Sequence, residues 1–434
     1  MSGEMIGLIG LISLFVLLGL RIPVAFAMFA VGFVGVSILN SPQAALSQLA
    51  SDSFSLAAKV ELVVVPLFIL MGNVATETGM SRKLYDAAYA WIGSIRGGLA
   101  SATVVACGGF AALSGSSVAS ALTIGRVSLS EMKRFEYDDR LSTGVVAAGG
   151  TLGILIPPST GFVIYALLTQ ESIGRLFLAG VLPGLLLLSM FILTILVITW
   201  FKPAMGPKGP STTFTEKMRS TGGAAPILLV IVLTIGGIYT GIFSPVEASA
   251  VGAGLVILFG TLMGNLNFAK FWKAAQDSVV TTATVMLILI SAYMIKTFLA
   301  LSHIPQWLGT YLEGLAIPVI GVLAIMLAIY LILGCFLEGF AMMVLSMPIF
   351  FPVVQQLGID PIWFGVLVVL TLEMGLISPP VGLNVFIVKS VAPDVSLAKM
   401  FRGVAPFWFA MLVTLILLVA FPQIALILPN TMIQ

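Results

Sequence analysis

Charged residues are scarce in this sequence. Only 9% of its 434 residues are Asp, Glu, Lys or Arg, whereas an average soluble domain has about a quarter. This low charge excludes an ordinary soluble domain. The formal net charge is +2, and so small an excess of positive charge indicates no nucleic-acid partner.

Metal ligands and nucleophiles are also scarce. The chain has one histidine, His303, and two cysteines, Cys107 and Cys335, both in apolar stretches. We expect the cysteines to act as small apolar side chains rather than as a disulfide, and the three residues form no metal motif. A GxxxxGK phosphate loop is absent from the sequence, so ATP hydrolysis by this chain is not expected. An intramembrane enzyme would need a nucleophile–base pair or metal ligands at depth, which the sequence does not supply.

Apolar residues dominate instead. They make up 59% of the chain, the mean hydropathy is +1.14, and long apolar runs recur from end to end. The fold class predicted is an all-α polytopic membrane protein. A transmembrane β-barrel is excluded because the runs are continuous rather than alternating. Residues 1–4 carry no basic charge, so we expect the first run to be a membrane helix and not a cleaved signal peptide.

Two stretches must interrupt their helices. Residues 147–161 read AAGGTLGILIPPSTG and residues 371–384 read TLEMGLISPPVGLN, and they hold the two Pro-Pro pairs of the chain. Glycine weakens a helix, and proline removes a backbone donor and disfavours helical geometry in the residue before it. A kinked packing helix would explain one such stretch. Paired breaks in matching halves indicate the binding site of a transporter.

The breaks belong to an internal repeat. A shift of 222 residues without gaps places Pro157 and Pro158 on Pro379 and Pro380, and Gly153 on Gly375. We therefore predict two repeats, residues 1–201 and 223–434, joined by a polar linker, residues 202–222.

Each repeat reads as the same series of segments. In the first they are scaffold helices 5–75, an interfacial arm 80–93, a hairpin 99–127, a broken helix 141–168 and a last helix 176–201. In the second they are scaffold helices 227–299, with an amphipathic segment 267–276 before a span 279–299, an arm 304–315, a hairpin 319–354, a broken helix 362–391 and a last helix 401–428.

The two hairpin segments decide the topology. Each could be a single span, a helical pair or a re-entrant hairpin, and small or polar residues at their centres, LSGSS and CFLEG, favour a buried hairpin tip. With hairpins each repeat crosses the membrane about five times, so the repeats are inverted.

Positive charge supports this topology. It places 17 of the 20 Lys and Arg on one side, which should be cytoplasmic. The other side holds Lys59, Arg175 and Lys296. Both termini are then predicted to face outward, and the linker inward.

The centre of the molecule should carry the chemistry. The shift lays residues 114–117 opposite residues 336–339, so each hairpin tip meets its own broken helix. Unwound carbonyls suit Na⁺, and helix N-termini suit an anion. Ser114, Ser116 and Ser117 add hydroxyls, although serines in membrane helices also serve simply as small packing residues.

Two acidic residues are expected at depth. Glu338 and Glu373 would each bind an ion or substrate, or accept a structural hydrogen bond from unwound backbone. Asn384, just after the second break, would orient a carbonyl or bind substrate.

The motifs LSGSSVAS, GGTLGILIPPS and EMGLISPPVGLN together closely resemble the large membrane subunit of TRAP transporters, the tripartite ATP-independent periplasmic family. The resemblance covers essentially the whole chain. It implies Na⁺-driven uptake of an organic acid, C4-dicarboxylate or sialic acid in class, across the bacterial inner membrane by an elevator mechanism. It also implies a periplasmic substrate-binding protein and a small four-helix membrane subunit as partners.

The resemblance further implies ligands, which are carried over position by position. The first Na⁺ site would comprise Ser114, Ser117, Gly153, Ile156 and Pro158. The second would comprise Gly334, Gly375, Ser378 and Val381, the last through its backbone carbonyl. The substrate would lie at Ser114 and Ser159, with the second hairpin opposite; Ser116, Glu338 and Asn384 are further candidates.

One other transporter class shares these features. A stand-alone Na⁺/dicarboxylate symporter of similar inverted-repeat architecture would also carry two broken helices. A purely structural scaffold would not need two symmetric breaks.

Overall fold

The computed structural model describes residues 2–307 and 317–432, and over these ranges it contains helices and no β-strand. Within these ranges, seven helices are long and apolar enough to cross a membrane, or up to eight if a bent pair counts as one span. The prediction of an all-α polytopic membrane protein is confirmed.

The first part of the chain runs through ten α-helices and one short 3-10 helix. They are α1 (Gly3–Gly19), α2 (Val24–Leu39), α3 (Pro42–Ala57), the 3-10 helix Val60–Val63, α4 (Val64–Glu77), α5 (Met80–Ile92), α6 (Gly98–Ser114), α7 (Ser117–Arg134), α8 (Asp139–Leu155), α9 (Thr160–Thr169) and α10 (Ile173–Phe201).

The second part continues the series after a short 3-10 turn, Pro203–Met205. Its described helices are α11 (Phe214–Tyr239), α12 (Pro245–Leu262), α13 (Phe268–Leu301), α14 (Val319–Gly334), α15 (Gly339–Gln356), α16 (Pro361–Leu376), α17 (Leu383–Val391), α18 (Leu397–Ala420) and α19 (Gln423–Thr431).

Both hairpin segments are pairs of helices joined by a tight turn. Helices α6 and α7 contact each other and meet at Gly115, and α14 and α15 contact each other and meet at residues 335–338. Gly115 has a φ of +56°, which a residue with a side chain adopts at a steric cost. Both Pro-Pro stretches interrupt their helices as the sequence predicts, and α8 and α9 meet at an angle of 41°.

The linker was predicted too long. Helix α11 begins at Phe214, so residues 214–222 are helical rather than irregular. The start is set by a capping box: the Thr213 hydroxyl accepts from the Glu216 N–H at 3.3 Å, and Glu216 Oε2 accepts from the Thr213 N–H at 2.7 Å. The remaining residues 202–213 connect α10 to α11.

This linker is fastened along its length. The Gly97 N–H donates to the Gly206 carbonyl at 2.9 Å, and the Gly209 N–H donates to the Gly93 carbonyl at 3.0 Å. The Tyr137 hydroxyl, in the turn between α7 and α8, donates to the Pro207 carbonyl at 2.8 Å. Burial raises the pKa of Tyr137 to about 12. The linker is therefore attached to the base of the first hairpin.

Two other segments differ from the sequence expectation. The amphipathic segment 267–276 and the span 279–299 are one continuous helix, the 34-residue α13. The last helix, predicted over 401–428, ends at Ala420 because Pro422 has no N–H to continue it, and α19 follows. Most of the second arm, residues 304–315, lies outside the described residues.

Helices from the two predicted repeats pack against each other by close backbone contact. In the outer set α2 packs on α13 and α4 packs on α12. A Cβ built on Gly32 would lie 2.8 Å from the Ile295 nitrogen, so only glycine fits there. In the set around the breaks α8 packs on α18 and α10 packs on α16, with Gly144 of α8 directly against the Gly403 backbone.

Candidate functional site

The tip of the first hairpin sits on the first helix break. The Thr160 hydroxyl donates to the Gly115 carbonyl at 2.7 Å, and the Thr160 N–H approaches the same oxygen at 3.4 Å. On the other side of the tip, a Cβ built on Gly153 would lie 2.7 Å from the Ser117 nitrogen. The structure thus brings together Ser117, Gly153 and the loop that holds Pro158.

Proline explains why oxygen atoms are free at this break. In a helix, the N–H groups of residues 157 and 158 would donate to the carbonyls of Gly153 and Ile154, but both positions are proline. The Ile154 carbonyl instead accepts from the Ser159 hydroxyl, which also caps α9 by accepting from the Phe162 N–H at 3.3 Å. The Gly153 carbonyl has no such helical donor.

Three serines line the turn between α6 and α7. Ser116 caps α7, because its hydroxyl accepts from the Ala119 N–H at 3.3 Å. The Ser114 and Ser120 hydroxyls lie 3.2 Å apart. Ser117 is buried and donates to Oε1 of Glu373 at 2.7 Å. Ser116 therefore stabilises the start of α7, whereas Ser114 and Ser117 present oxygen atoms at the tip.

The second tip meets the second break by direct backbone contact. A Cβ built on Gly375 would lie 2.6 Å from the Gly334 Cα, so a side chain at Gly375 is excluded while the helices stay in place. The Ser378 N–H donates to the Gly375 carbonyl at 2.9 Å. The Ser378 hydroxyl donates to the Met374 carbonyl at 2.6 Å and accepts from Trp408 Nε1 at 2.8 Å. Val381 lies in the loop and is exposed.

The two remaining polar candidates have different surroundings. Asn384 is fully buried in the first turn of α17, and neither its Oδ1 nor its Nδ2 has a hydrogen-bond partner. Helix α17 packs on α7 and α8. Glu338, in contrast, is exposed at the second tip and its side chain does not cap α15. The structure gives Glu338 no contact with the serines of the first tip.

The donor sets fit a hard monovalent cation. Within the described residues no cluster of His, Cys, Asp and Glu could hold a transition metal. The groups present at the first break are hydroxyl and carbonyl oxygens, and the Gly153 Cα packs against the backbone of Ser116 and Ser117, because a Cβ built on it would overlap them. Unwound carbonyls with small hydroxyl side chains are the ligands that membrane transporters offer to Na⁺.

Several contacts at the breaks were not anticipated from the sequence. Thr160 joins the first tip to its break, and its position directly after the PPS motif was an available signal. Trp408 binds Ser378 from α18, far along the chain, and nothing in the local sequence indicates this. The bond from Ser117 to Glu373 joins the first hairpin to the second broken helix, a pairing that requires the three-dimensional structure.

Ion pairs lie at the ends of these helices. Lys133 of α7 binds Asp394 at 2.6 Å, and Lys399 of α18 binds Asp139 of α8 at 2.6 Å. The hydrogen bond from Lys133 holds the pKa of Asp394 below its ordinary value. These exposed pairs contribute little stability individually, but they join segments from both predicted repeats on one face.

Comparison with known proteins gives consistent results. A family model described as the tripartite ATP-independent periplasmic transporter, DctM component, matches residues 11–424. The chain is 38% identical to the C4-dicarboxylate TRAP transporter large permease protein DctM of Pseudomonas aeruginosa, over 91% of each protein. It is 32% identical to the sialic acid TRAP transporter large permease protein SiaM of Vibrio cholerae, over 99% of this chain and 98% of the relative.

A solved structure shares the fold. The YdaH transporter of Alcanivorax borkumensis superposes with a TM-score of 0.65 at 14% identity, covering 88% of this chain and 89% of that one. At this identity the similarity concerns the fold alone.

Proposed function

Because this chain belongs to the family of the DctM component of tripartite ATP-independent periplasmic transporters, a family of transport proteins rather than enzymes, we propose that it carries out Na⁺-coupled uptake of a small organic acid. The relatives named above transport C4-dicarboxylates and sialic acid. The closer of these two similarities favours a C4-dicarboxylate as the first substrate to test.

One observation carries the Na⁺ proposal. Each hairpin tip lies against a break at which proline has removed the helical donors, and the first such contact leaves hydroxyl and carbonyl oxygens together. We assign the first ion to Ser114, Ser117, Gly153, Ile156 and Pro158, and the second to Gly334, Gly375, Ser378 and Val381. In this mechanism the oxygens hold the ions while the tips seat on the breaks. The ion supplies positive charge beside a substrate carboxylate at Ser114, Ser116, Ser159 and Asn384, with Glu338 at the rim.

Helix pairing supports inverted repeats. A shift of 222 residues carries α2 onto α12 and α4 onto the second half of α13. The shift therefore carries the contact of α2 with α13 onto the contact of α12 with α4. In the same way it carries the contact of α8 with α18 onto that of α16 with α10. Such an exchange is what a two-fold relation between repeats requires. We propose that the hairpins and broken helices move as one unit against the scaffold α1–α4 and α11–α13.

Side-chain pairing supports the proposed sidedness. The ion pairs Lys133–Asp394, Lys399–Asp139 and Lys273–Glu77 each join residues placed on the predicted cytoplasmic side. On the predicted outer side Lys59 Nζ donates to Gln170 Oε1 at 3.2 Å. We propose that both termini are periplasmic and that the linker is cytoplasmic.

Sidedness can be tested by cysteine labelling. With Cys107 and Cys335 replaced by serine, a cysteine at Ser211 should react with an impermeant maleimide only in inside-out vesicles. Labelling from outside in intact cells would contradict the inverted arrangement.

The partners are proposed on the basis of the family. They are a periplasmic substrate-binding protein and a small four-helix membrane subunit. The matching experiment reconstitutes the chain with both, loads radiolabelled C4-dicarboxylate or sialic acid onto the binding protein, and measures uptake with and without an inward Na⁺ gradient. Uptake should need the gradient and the binding protein. Uptake of free substrate without the binding protein would favour the stand-alone symporter, and uptake indifferent to Na⁺ would contradict the coupling.

A further inference from the structure

Glu373 is a carboxyl side chain buried inside α16. It is 1% exposed, and among the residues that the structure describes it is the one acidic or basic side chain in the fully buried class. It belongs to none of the ion pairs formed by the described residues. One of its oxygens, Oε1, accepts from the Ser117 hydroxyl at 2.7 Å, and the other, Oε2, is buried without a partner. A carboxyl group at this depth in a membrane protein is costly and indicates a function.

Ser117 needs an acceptor outside its own helix. Serine hydroxyls inside helices of this protein donate a hydrogen bond to the carbonyl four residues earlier, as Ser278 does to Ala274 and Ser291 does to Leu287. Ser117 is the first residue of α7, so the residue four positions earlier lies in α6, beyond the Gly115 turn. The Ser117 hydroxyl instead donates its hydrogen bond to Glu373, in the other predicted repeat.

We infer that Glu373 is the positioning residue of the first ion site. By accepting the hydrogen bond from the Ser117 hydroxyl, Glu373 fixes the rotamer of that side chain. The Oγ lone pairs then remain available to a cation, together with the freed Gly153 carbonyl. An ion site built on the first hairpin is thereby completed by the second broken helix. The inference rests on the Na⁺ coupling proposed above.

The matching residue of the first repeat carries no carboxyl group, and its polar contact across to the second repeat is with the Met411 sulfur at 4.0 Å. The shift of 222 residues places Thr151 on Glu373, and the Thr151 hydroxyl donates to the Ala148 carbonyl of its own helix at 2.6 Å. At this position the first repeat therefore offers the second ion site a hydroxyl group and no carboxyl group. Among the described residues, positioning by an acid at this place in the helix applies to the first site.

Two substitutions separate positioning from general packing. Glu373→Gln keeps an amide oxygen that can accept from Ser117, whereas Glu373→Met has similar length and no comparable acceptor. Thr371→Val is the control, because Thr371 is buried on the same helix but its hydroxyl donates to the Leu367 carbonyl at 2.8 Å. Glu373→Met removes the buried and unpartnered Oε2 and adds no buried charge that would oppose folding.

The test measures ion binding and local structure in the reconstituted complex. The Na⁺ concentration that gives half-maximal protection of the complex against thermal unfolding should rise about tenfold in Glu373→Met, which removes the acceptor of the Ser117 hydroxyl, and at most about threefold in Glu373→Gln, which keeps an acceptor. Thr371→Val should not change it. In Na⁺-free buffer, hydrogen exchange of the first turn of α7 should be faster in Glu373→Met than in Glu373→Gln, with exchange in α13 unchanged. The half-saturating Na⁺ for uptake should shift more than the maximal rate.

The decisive measurement is the coupling between Ser117 and Glu373 in a double-mutant cycle. Because Ser117→Ala and Glu373→Met remove the same hydrogen bond, the double variant should need no more Na⁺ than Ser117→Ala alone. Full additivity, or a Glu373→Met variant that binds Na⁺ like the wild type, would overturn the positioning role and leave Na⁺ coupling intact. A wild-type complex without any Na⁺ response would overturn the proposed coupling, and the positioning role with it.

Discussion

The two helix breaks share a sequence motif but differ in their surroundings. At the first break Pro157, Pro158 and Ser159 are buried, and at the second the loop Pro379–Val381 is exposed. The tips differ in the same way: Ser114 is 6% exposed, whereas Phe336, at the matching position of the second tip, is 63% exposed. A repeat in sequence therefore does not give two equivalent sites. Of the two proposed ion sites, the first is enclosed and the second opens onto the surface of this chain.

The residues that hold the two sites also come from different places. Ser117 of the first proposed site donates to Glu373 of the other predicted repeat, whereas Ser378 of the second proposed site bonds to Trp408 and to the Met374 carbonyl of its own predicted repeat. The first site thus depends on how the repeats are assembled, and the second depends on the packing of one repeat. Substitutions that touch the first tip contact and the second tip should therefore have unequal effects.

The largest difference is expected for an added methyl group. Gly153→Ala would place a Cβ 2.7 Å from the Ser117 nitrogen, whereas Gly339, which matches Ser117 in the second tip, has no atom within 4 Å of such a Cβ. Because backbone atoms cannot move aside cheaply, Gly153→Ala should reduce Na⁺-driven uptake by about tenfold or more. Gly339→Ala should stay within about twofold of the wild type. Equal rates in the two variants would show that the first tip is not tightly seated.

A second measurement asks whether the two unequal sites move together. Spin labels at Ser130 and Ser396 lie at exposed positions on segments joined by the Lys133–Asp394 and Lys399–Asp139 ion pairs. Their separation should stay nearly fixed when Na⁺ and substrate are varied. The distance from Ser130 to a label at Asn265, in the scaffold, should shift or broaden as the unit moves on the μs–s timescale. Comparable changes in both distances would replace the elevator with local opening of the hairpins.

Loss of the hydrogen bond from Trp408 to Ser378 should have a moderate effect on Na⁺ affinity. Trp408→Phe removes the indole donor to Ser378, a hydrogen bond that contributes about 1 kcal/mol, so the apparent Na⁺ affinity should fall about fivefold. Trp363→Phe is the matched control, because the Trp363 indole donates to the Leu418 carbonyl at 2.9 Å. This hydrogen bond lies away from the break. If both variants behave alike, the loss comes from aromatic packing and not from Ser378.

The smallest effect is expected where the linker meets the first hairpin. Tyr137→Phe removes the bond to the Pro207 carbonyl and should expose Lys208 to trypsin somewhat faster in inside-out vesicles, since about 1 kcal/mol is lost locally. Tyr239→Phe, at the opposite face, is the control. Burial raises the pKa of Tyr137 to about 12, so the neutral phenol is the form favoured by folding. Protection should persist to about pH 10, the ordinary value for tyrosine, and decline above it. Early loss, near pH 8, would contradict this attachment.

Glycine and proline made the breaks predictable, because their effect on a helix is local. The same local chemistry explains what was missed. The capping box Thr213–Glu216 was visible in the sequence, and so was Pro422, which ends α18. Pro66 in the first turn of α4 requires a new helix start there, whereas the matching residue, Ile288, allows α13 to continue. The bonds from Ser117 to Glu373 and from Trp408 to Ser378 join distant segments, so no local pattern could indicate them.

The unbroken course of α13 has a consequence for depth in the membrane. Lys296 lies nineteen positions after Asp277, and both are exposed. Nineteen positions correspond to about 29 Å along a helix. That length matches the hydrocarbon thickness of a typical bilayer, about 30 Å. Charged groups at both ends of this stretch resist entry into the lipid interior, so α13 cannot slide along the membrane normal without burying one of them. In the elevator motion proposed above, α13 would therefore hold the scaffold at a constant height in the membrane.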